Sequence, residues 1–485
     1  MNTQVWRVIL LSVVLQASPA ALLADDGDES KKPAPAPLEK LEARIELQEE
    51  RIRQLESVVH EQLAMIVSAR EALAMLLPEG SSEVKGDRLE VAPPTAESRL
   101  AGPRAAPARA QTQRNPVAGW TDSHPFINSA NGDFTMQFSG RMHLDYRNFS
   151  DEGTPESTFV LRRARVTVEG QLYDSYTYKV ETDFADRGSR ILRDGYVNAK
   201  VSDALEFRFG QFKAPFSQER LQSSQRANFV DRSSLTELSP GRSPGIMVHG
   251  SFLDDAVEYA VSASNGLGVL NSNTGATPEV TSRLRFKPFG SIDLFENFAF
   301  GGAFGQGRRA NGISFRGRTA SRSVTFFNRV PVNGKITRAN VEFDWLHPKF
   351  AIRGEFNQTN QRRDGMGTGG GNLPAVVSKG FMFNTAYVFG GVTSPNGAIV
   401  PDTTFLEDGG TGALQIVFRY EHLQIDDRVS PNRGEAYTTG FNWWLSSFIR
   451  HQSNFAFERF QHPNRTGPFN GKSTFTYLGR MQLMF

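Results

Sequence analysis

The sequence of 485 residues contains no cysteine, which excludes disulfide bonds, thiol catalysis and cysteine-ligated metal sites. It also lacks a charge bias, because the formal net charge is only +2, so a global attraction to nucleic acid is not expected. There is no Walker-type loop, no HExxH and no GxSxG motif, and the 8 histidines lack metal-ligand spacing. We therefore expect neither an enzyme nor a bound cofactor or metal.

Long apolar runs are missing as well, and the mean hydropathy of −0.39 is too polar for a helical membrane protein. The one notable run, from Val8 to Leu15, follows Arg7 and precedes small residues. It is shorter than the roughly 18 residues that a spanning helix needs. Residues 1–24 are therefore predicted to be a cleaved signal peptide, with a membrane anchor as the alternative. Any later membrane insertion must use strands.

The region after this segment divides by composition. Residues 25–37 are acidic and then rich in Lys, Pro and Ala, as in a linker. Residues 38–77 carry apolar side chains at alternating steps of three and four, which predicts a coiled coil, with a single amphipathic helix as the alternative. Residues 78–130 are rich in Pro, Ala and Arg and are predicted to be a disordered linker.

From residue 131 to the end the period changes to two. Met142 and Leu144 fall on one face of the first segment, whereas Arg141, His143 and Asp145 fall on the other. The pattern recurs in residues 176–184, 337–345 and 414–420, and it ends on the terminal Phe485, which resembles the assembly signal of bacterial outer-membrane barrels. About 355 residues at roughly 20–22 per strand predict an all-β transmembrane, antiparallel outer-membrane β-barrel of about 16 strands (16–18) with an aqueous channel.

Arginine is the residue type that points to function. Arg162, Arg163 and Arg165 cluster in one segment, and Arg283 and Arg285 alternate in another, on the polar side of the strand. An arginine facing lipid at mid-bilayer is costly, so we expect these side chains to line the lumen and favour anions. Pairing with lumen carboxylates, or binding of lipopolysaccharide phosphates at the rim, is the alternative.

One stretch inside the barrel region lacks alternation. Residues 213–245 are dominated by Gln, Ser, Arg and Pro, which predicts a long functional loop. If it folds into the lumen, Arg220, Ser223, Ser224 and Arg232 offer charged and hydroxyl donors at a constriction. An external loop is the plain alternative.

Several segments in residues 134–234 resemble the phosphate-selective porin O/P family. They are, in order, FSGRMHLDY, FVLRRARVTVEGQL, YKVETDF, DGYVNAKV, FRFGQFKAPFSQERLQSS and FVDRS. The resemblance implies a trimeric barrel of sixteen strands whose arginines draw phosphate through a narrow centre. It further implies pore-lining roles for the residues that match the family's motifs, namely Arg141, Arg162, Arg163, Asp194, Arg220, Ser223, Ser224, Arg232, Arg316 and Arg318.

The chain departs from the family pattern at two places. Thr177 stands where phosphate-selective members carry a lysine, and Lys179 lies two positions further on the same face. Simple alternation also puts Arg163 and Arg165, but not Arg162, on the polar face, so a bulge or a strand end is needed for both Arg162 and Arg163 to reach the lumen.

The sequence thus predicts an outer-membrane porin for passive diffusion of anions, with inorganic phosphate or polyphosphate as the leading solute. A general anion porin, or a barrel that anchors a coiled-coil tether between envelope layers, is the alternative. Expected partners are outer-membrane lipid and lipopolysaccharide, two further copies of the chain in a homotrimer, and peptidoglycan through the periplasmic coiled coil.

Overall fold

The computed structural model describes Arg53 and residues 116–121, 124–186, 191–266, 277–426, 432–461 and 471–485. The chain divides into two units, Met1–Ala105 and Ala106–Phe485. In the first unit only Arg53, which is helical, is described. The predicted signal peptide, first linker and coiled coil otherwise lie outside the described residues.

The second unit is built almost entirely of strands. In chain order they are β1 (Val117–Trp120), β2 (Pro125–Asn128), β3 (Phe134–Phe149), β4 (Thr158–Leu172), β5 (Tyr176–Asp183), β6 (Leu192–Ser202), β7 (Leu205–Lys213), β8 (Arg242–Phe252), β9 (Val257–Ser264), β10 (Glu279–Phe286), β11 (Phe298–Ile313), β12 (Gly317–Arg318), β13 (Thr325–Phe327), β14 (Pro331–Leu346), β15 (Phe350–Arg363), β16 (Leu373–Phe389), β17 (Gly391–Thr393), β18 (Ile399–Pro401), β19 (Ala413–Gln424), β20 (Arg433–Trp444), β21 (Ile449–Gln461) and β22 (Ser473–Met484). The described helices are short: α1 (Gln218–Leu221) and two 3₁₀ turns, Ser234–Leu238 and Thr368–Gly370. None of the helices in the described part of the chain is long and apolar enough to cross a membrane.

Sixteen of these strands, all but β1, β2 and the hairpins β12–β13 and β17–β18, form a closed antiparallel barrel. Each pairs with its neighbour in sequence, and β22 closes the barrel on β3, with Thr476 opposite Phe149 and Met484 opposite Arg141. The predicted barrel of about 16 strands is therefore confirmed. Its strands reach 17 residues in β16, more than the roughly 9–11 that a tilted strand needs to cross the hydrocarbon layer.

Alternation along the strands separates a lipid-facing surface from the lumen. On β3, Met142 and Leu144 are 46% and 43% exposed, whereas His143 and Asp145 are both 0% exposed. The polar side chains are buried because two inward-folded loops fill part of the lumen. One is the constriction loop, residues 214–241, between β7 and β8; the other is the second inward loop, residues 314–330, between β11 and β14.

The two ends of the barrel differ in their connections. Short turns such as residues 203–204 and 347–349 lie at one end, and the constriction loop and second inward loop lie at the other. In outer-membrane barrels the short turns are periplasmic and the long loops extracellular. An exception is residues 390–412, a long connection at the short-turn end that contains β17 and β18.

The predicted linker over residues 78–130 extends too far. Strands β1 and β2 form an antiparallel pair within it, and β2 pairs with the start of β3, with Ile127 opposite Met136. Four-residue strands are too short to show a period-two pattern, so composition alone placed them in the linker.

Candidate functional site

A cavity of about 290 Å³, which we call the chamber, lies between the constriction loop and the wall formed by β3–β8. More cations than carboxylates line this chamber. The cations are Arg141, Arg165, Lys179, Lys213, Arg226, Arg232 and Arg242, and the carboxylates are Glu169, Glu181 and Asp194. Ser139, Thr167, Ser223, Ser224 and Gln225 add neutral donors. The cavity therefore carries a surplus of positive charge in a wall that is otherwise polar.

Glu181 on β5 holds three arginines in place. Arg141 on β3 donates to it from Nη2, Arg165 on β4 from Nη1 at 2.8 Å, and Arg242 on β8 from Nη2 at 3.3 Å. Arg165 is fixed a second time, because its Nε donates to Asp183 at 2.7 Å. Glu181 therefore fixes the positions of these arginines and, together with Asp183 and Asp194, cancels much of their charge.

Two other carboxylates position single cations. Asp194 on β6 accepts from Nε and Nη2 of Arg242, each at 2.8 Å, a bidentate pair that fixes the plane of the guanidinium. Glu169 accepts from Lys179 at 2.6 Å. Asp194 was predicted to line the pore, and it does so as the partner of Arg242, not as a donor to an anion.

Lys213 and Arg232 are held differently, by backbone carbonyls at the C-terminal end of α1. Lys213 Nζ donates to the carbonyls of Leu221 at 2.7 Å and Gln222 at 3.3 Å. Arg232 donates to the carbonyls of Glu219 at 2.8 Å and Gln222 at 2.6 Å. Neither cation forms an ion pair with a described carboxylate. Their charge is therefore oriented without being cancelled.

The loop cations remain charged at neutral pH. Burial, together with the neighbouring Arg220, lowers the pKa of Arg232 to about 9. Burial and Arg242 lower the pKa of Arg220 to about 10. A guanidinium keeps its proton well above neutrality in either case, so both side chains stay cationic.

Hydroxyl groups complete the loop side of the chamber. Ser223 Oγ accepts from Arg141 Nη1 at 3.0 Å, which joins the loop to the wall. Ser224 is 5% exposed, and its Oγ has no hydrogen-bond partner among the described residues. A buried hydroxyl without a partner is unfavourable, and an anion entering the chamber could accept from it.

The constriction loop reaches the chamber because wall carboxylates bind its backbone. Glu342 accepts from the Gln218 N–H at 2.9 Å and Glu355 from the Glu219 N–H at 3.1 Å. Glu421 accepts from both the N–H and the hydroxyl of Ser234, at 2.8 and 2.7 Å. These contacts carry the loop across the lumen to the strands that face the chamber.

Apolar side chains of the constriction loop also pack against neighbouring segments. Leu235 and Leu238, both 0% exposed, lie in one cluster with Phe326 and Phe327 of the second inward loop and Leu423 of β19. The two inward loops and the far wall thus pack together through one buried apolar cluster. The chamber lies on the other side of the constriction loop, against β3–β8.

Arg162 and Arg163 lie above the chamber, towards the extracellular end. The β3–β4 register shifts between His143, opposite Arg163, and Leu144, opposite Leu161, so Arg162 is the extra residue of a bulge. Arg163 donates to His143 at 3.1 Å. Arg162 lies within electrostatic range of Asp231 in the constriction loop, which places it on the lumen side as the bulge requires.

The carboxylate of Asp231 lies among cations near the extracellular end, namely Arg147, Arg162 and Arg322, which we call the upper arginine group. Although burial alone would raise its pKa, Arg147, Arg322 and Arg162 hold the pKa of Asp231 well below its usual range. Arg147 forms an ion pair with it at 2.8 Å. Arg220 lies near this group and next to Gly241, and it is outside the chamber lining.

The remaining predicted residues lie elsewhere. Arg283 pairs with Glu342, and Arg285 pairs with Glu258 and Asp344, on the wall away from the chamber. Arg316 and Arg318 belong to the second inward loop, where Arg318 donates to Glu237 at 2.9 Å. The structure therefore brings six predicted residues together in the chamber: Arg141, Arg165, Asp194, Ser223, Ser224 and Arg232.

Sequence reasoning missed Lys213, Glu181 and Arg242 as site residues. Lys213 ends β7, Arg242 begins β8, and the two are register partners at the base of the constriction loop. The sequence signal for Lys213 and Arg242 is a cation at each stem of a long loop that lacks alternation. No group of three or more His, Cys, Asp or Glu side chains in the described ranges could hold a metal ion.

A closed barrel with an apolar outer face, a charged lumen and an inward-folded constriction loop defines an outer-membrane porin. The family model described as "Phosphate-selective porin O and P" matches residues 136–485. The chain belongs to this family, as its N-terminal strand motifs predicted. No curated protein sequence gives a significant match.

Several solved porin structures are similar to this chain. OmpT of Vibrio cholerae in its trimer form is 12% identical, with a TM-score of 0.48, covering 73% of this chain and 99% of that one. The channel DcaP of Acinetobacter baumannii is 12% identical, with a TM-score of 0.47, over 73% and 97%. An anion-selective porin from Comamonas acidovorans is 11% identical, with a TM-score of 0.47, over 73% and 100%.

Proposed function

We propose that this porin is anion-selective and carries phosphate or polyphosphate across the outer membrane by passive diffusion. The observation that supports this most directly is the pair Lys213 and Arg232. Both face the chamber, and both are held by backbone carbonyls, not by carboxylates. A phosphate entering the chamber meets oriented cations whose charge has not been cancelled.

The chamber supplies donors that replace part of the hydration shell of the anion. Arg141 and Arg165 are fixed by Glu181, Arg242 is fixed by Asp194, and the loop adds the Ser224 hydroxyl. Fixed donors need no reorganisation as the anion arrives, and a partly neutralised set avoids binding too tightly for release.

The upper arginine group provides a second step on the same path. Arg162 and Arg322 make no ion pair closer than 4.0 Å with a described carboxylate. Both lie within electrostatic range of Asp231 at the extracellular side of the loop. Weak sites in series allow an anion to enter and to leave. We further propose that the molecule is a homotrimer in the outer membrane, with its N-terminal segment in the periplasm.

Single-channel recording tests the proposal. Purified protein in a planar bilayer is placed in a KCl gradient for the reversal potential, and phosphate is then titrated. We expect an anion-selective chloride current that low phosphate concentrations block. An anion-selective current without block indicates a general anion porin, and a cation-selective current contradicts the proposal.

The tether alternative calls for a separate variant. Deletion of residues 38–77 removes the predicted coiled coil and leaves every described residue of the barrel in place. We expect conductance and phosphate block to be unchanged. Loss of envelope integrity with retained conductance would assign the coiled coil an additional tethering role.

A further inference from the structure

Six cations point outwards near the extracellular ends of six strands on one side of the barrel. We call them the rim belt: Arg308 on β11, Lys335 on β14, Arg362 on β15, Lys379 on β16, Arg433 on β20 and Arg459 on β21. The alternation of each strand fixes their direction. Lys379 is two positions from the lipid-facing Phe381, which is 42% exposed, and Arg459 is two positions from Phe457, which is 43% exposed.

Strand register places the belt residues side by side. Arg308 is the register partner of Lys335 across β11 and β14. Lys379 is opposite Gln424, which is in turn opposite Arg433, so these three lie along one line across β16, β19 and β20. The belt is therefore a continuous arc and not a scatter of surface charges.

Few carboxylates neutralise the belt. Asp364 pairs with Arg362 at 2.9 Å, and the half-buried Glu435 is the register partner of Arg459. Arg308, Lys335 and Arg433 form no ion pair with any carboxylate in the described ranges. These three cations thus place positive charge directly above a hydrocarbon-facing surface.

In the described strands β3–β10, the opposite arc of the same rim has no such charge. On β3–β10 the outward side chains of the extracellular halves are neutral: Tyr146, Asn148, Phe159, Leu161, Thr182, Leu192, Ala263, Val280 and Ser282. Among the apolar side chains of this arc, Phe159 is the most exposed, at 70%. A one-sided belt indicates a specific partner on that side and does not reflect a general need for solubility.

Cations at this depth need a counter-charge in the outer leaflet. A lysine or arginine is costly at mid-bilayer but nearly tolerated at the interface, where headgroups can pair with it. Guanidinium and ammonium groups bind phosphate oxygens through charge-assisted hydrogen bonds. We propose that the rim belt binds the sugar-linked phosphates of a lipid A-type glycolipid in the outer leaflet. This surface is separate from the lumen and does not depend on the solute that the pore carries.

The test uses the full chain in detergent micelles and bis-phosphorylated lipid A as the probe, with bound lipid counted by native mass spectrometry. The variant combines Arg308→Gln, Lys335→Gln and Arg459→Gln. The matched control combines Gln306→Ala, Gln358→Ala and Asn360→Ala, which are outward, exposed and neutral positions at the same rim. Parallel titrations use dephosphorylated lipid A and phosphatidylglycerol.

We expect the charge variant to bind lipid A at least about tenfold more weakly than the wild type, because each removed cation weakens attraction to anionic headgroups. The control should bind as the wild type does, and the conductance and ion selectivity of both should be unaltered. Undiminished binding by the charge variant would overturn the proposal. Equal binding of dephosphorylated lipid A or phosphatidylglycerol by the wild type would overturn it too, and that comparison needs no variant to fold.

Discussion

At the residue scale, the cations of the chamber divide by the groups that hold them. Arg141, Arg165 and Arg242 share Glu181, so part of their charge is cancelled. Lys213 donates only to the carbonyls of Leu221 and Gln222 among the described residues. A carbonyl dipole orients an ammonium group without pairing it with an opposite charge, so the charge of Lys213 stays available to an anion in the chamber.

Replacing Lys213 by glutamine removes this charge and keeps a donor of similar length. We expect the phosphate concentration that half-blocks the chloride current to rise about tenfold, because a hydrogen bond from a charged donor is lost. Arg285→Gln is the control, since Arg285 is a lumen arginine paired with Glu258 and Asp344 away from the chamber. An equal change in both variants would show that overall lumen charge, and not the chamber, controls the block.

At the scale of elements, the constriction loop depends on contacts that lie far apart in sequence. Its position between β7 and β8 follows from the loss of alternation in residues 213–245, and the observed loop over residues 214–241 agrees closely. Its inward course does not follow, because Leu235 and Leu238 pack on Phe326 and Leu423, which belong to segments that the sequence gives no reason to bring together. Arg162 is similar: alternation required either a bulge or a strand end, and the sequence did not distinguish these or locate the bulge opposite His143 and Leu144.

Glu421 offers a way to loosen the loop without touching the chamber lining. Its carboxylate accepts the N–H and hydroxyl of Ser234, and removing an acceptor from a buried N–H costs about 1–3 kcal/mol. We expect Glu421→Ala to raise the open-channel current noise and the mean conductance. Glu258→Ala, at a wall carboxylate that does not contact the loop, should leave both unchanged. A quiet Glu421→Ala channel would mean that apolar packing alone holds the loop.

At the scale of the whole molecule, the barrel was largely predictable from the sequence. Period-two alternation with charges on one face identified strands that the structure contains, such as β5 and β19, and length alone gave about 16 strands. The pairing of lumen charges was not predictable in the same way. Arg283 and Arg285 meet Glu342 and Asp344 because β10 and β14 both pair with β11, and no local pattern encodes that contact.

Phe485 contributes to the seam at which the barrel closes, between β3 and β22. The Gly140 N–H donates to the Phe485 carbonyl at 2.7 Å, the Phe485 N–H donates back at 3.1 Å, and the Phe485 ring covers Gly140 so closely that a Cβ there would overlap it. A valine at position 140 must therefore displace the terminal ring from the seam between β3 and β22.

We expect Gly140→Val to lower the temperature at which the folded, gel-shifted form is lost by about 5 °C or more, since overpacking costs roughly 1–3 kcal/mol. Gly290→Val is the matched control, because a Cβ at Gly290 meets no atom within 4 Å. Deleting Phe485 should act in the same direction as Gly140→Val, and combining the two changes should add little, since both release the same contact. Additive losses would show that Gly140 and Phe485 stabilise the barrel independently, and the seam would then be held by the β3–β22 hydrogen bonds alone.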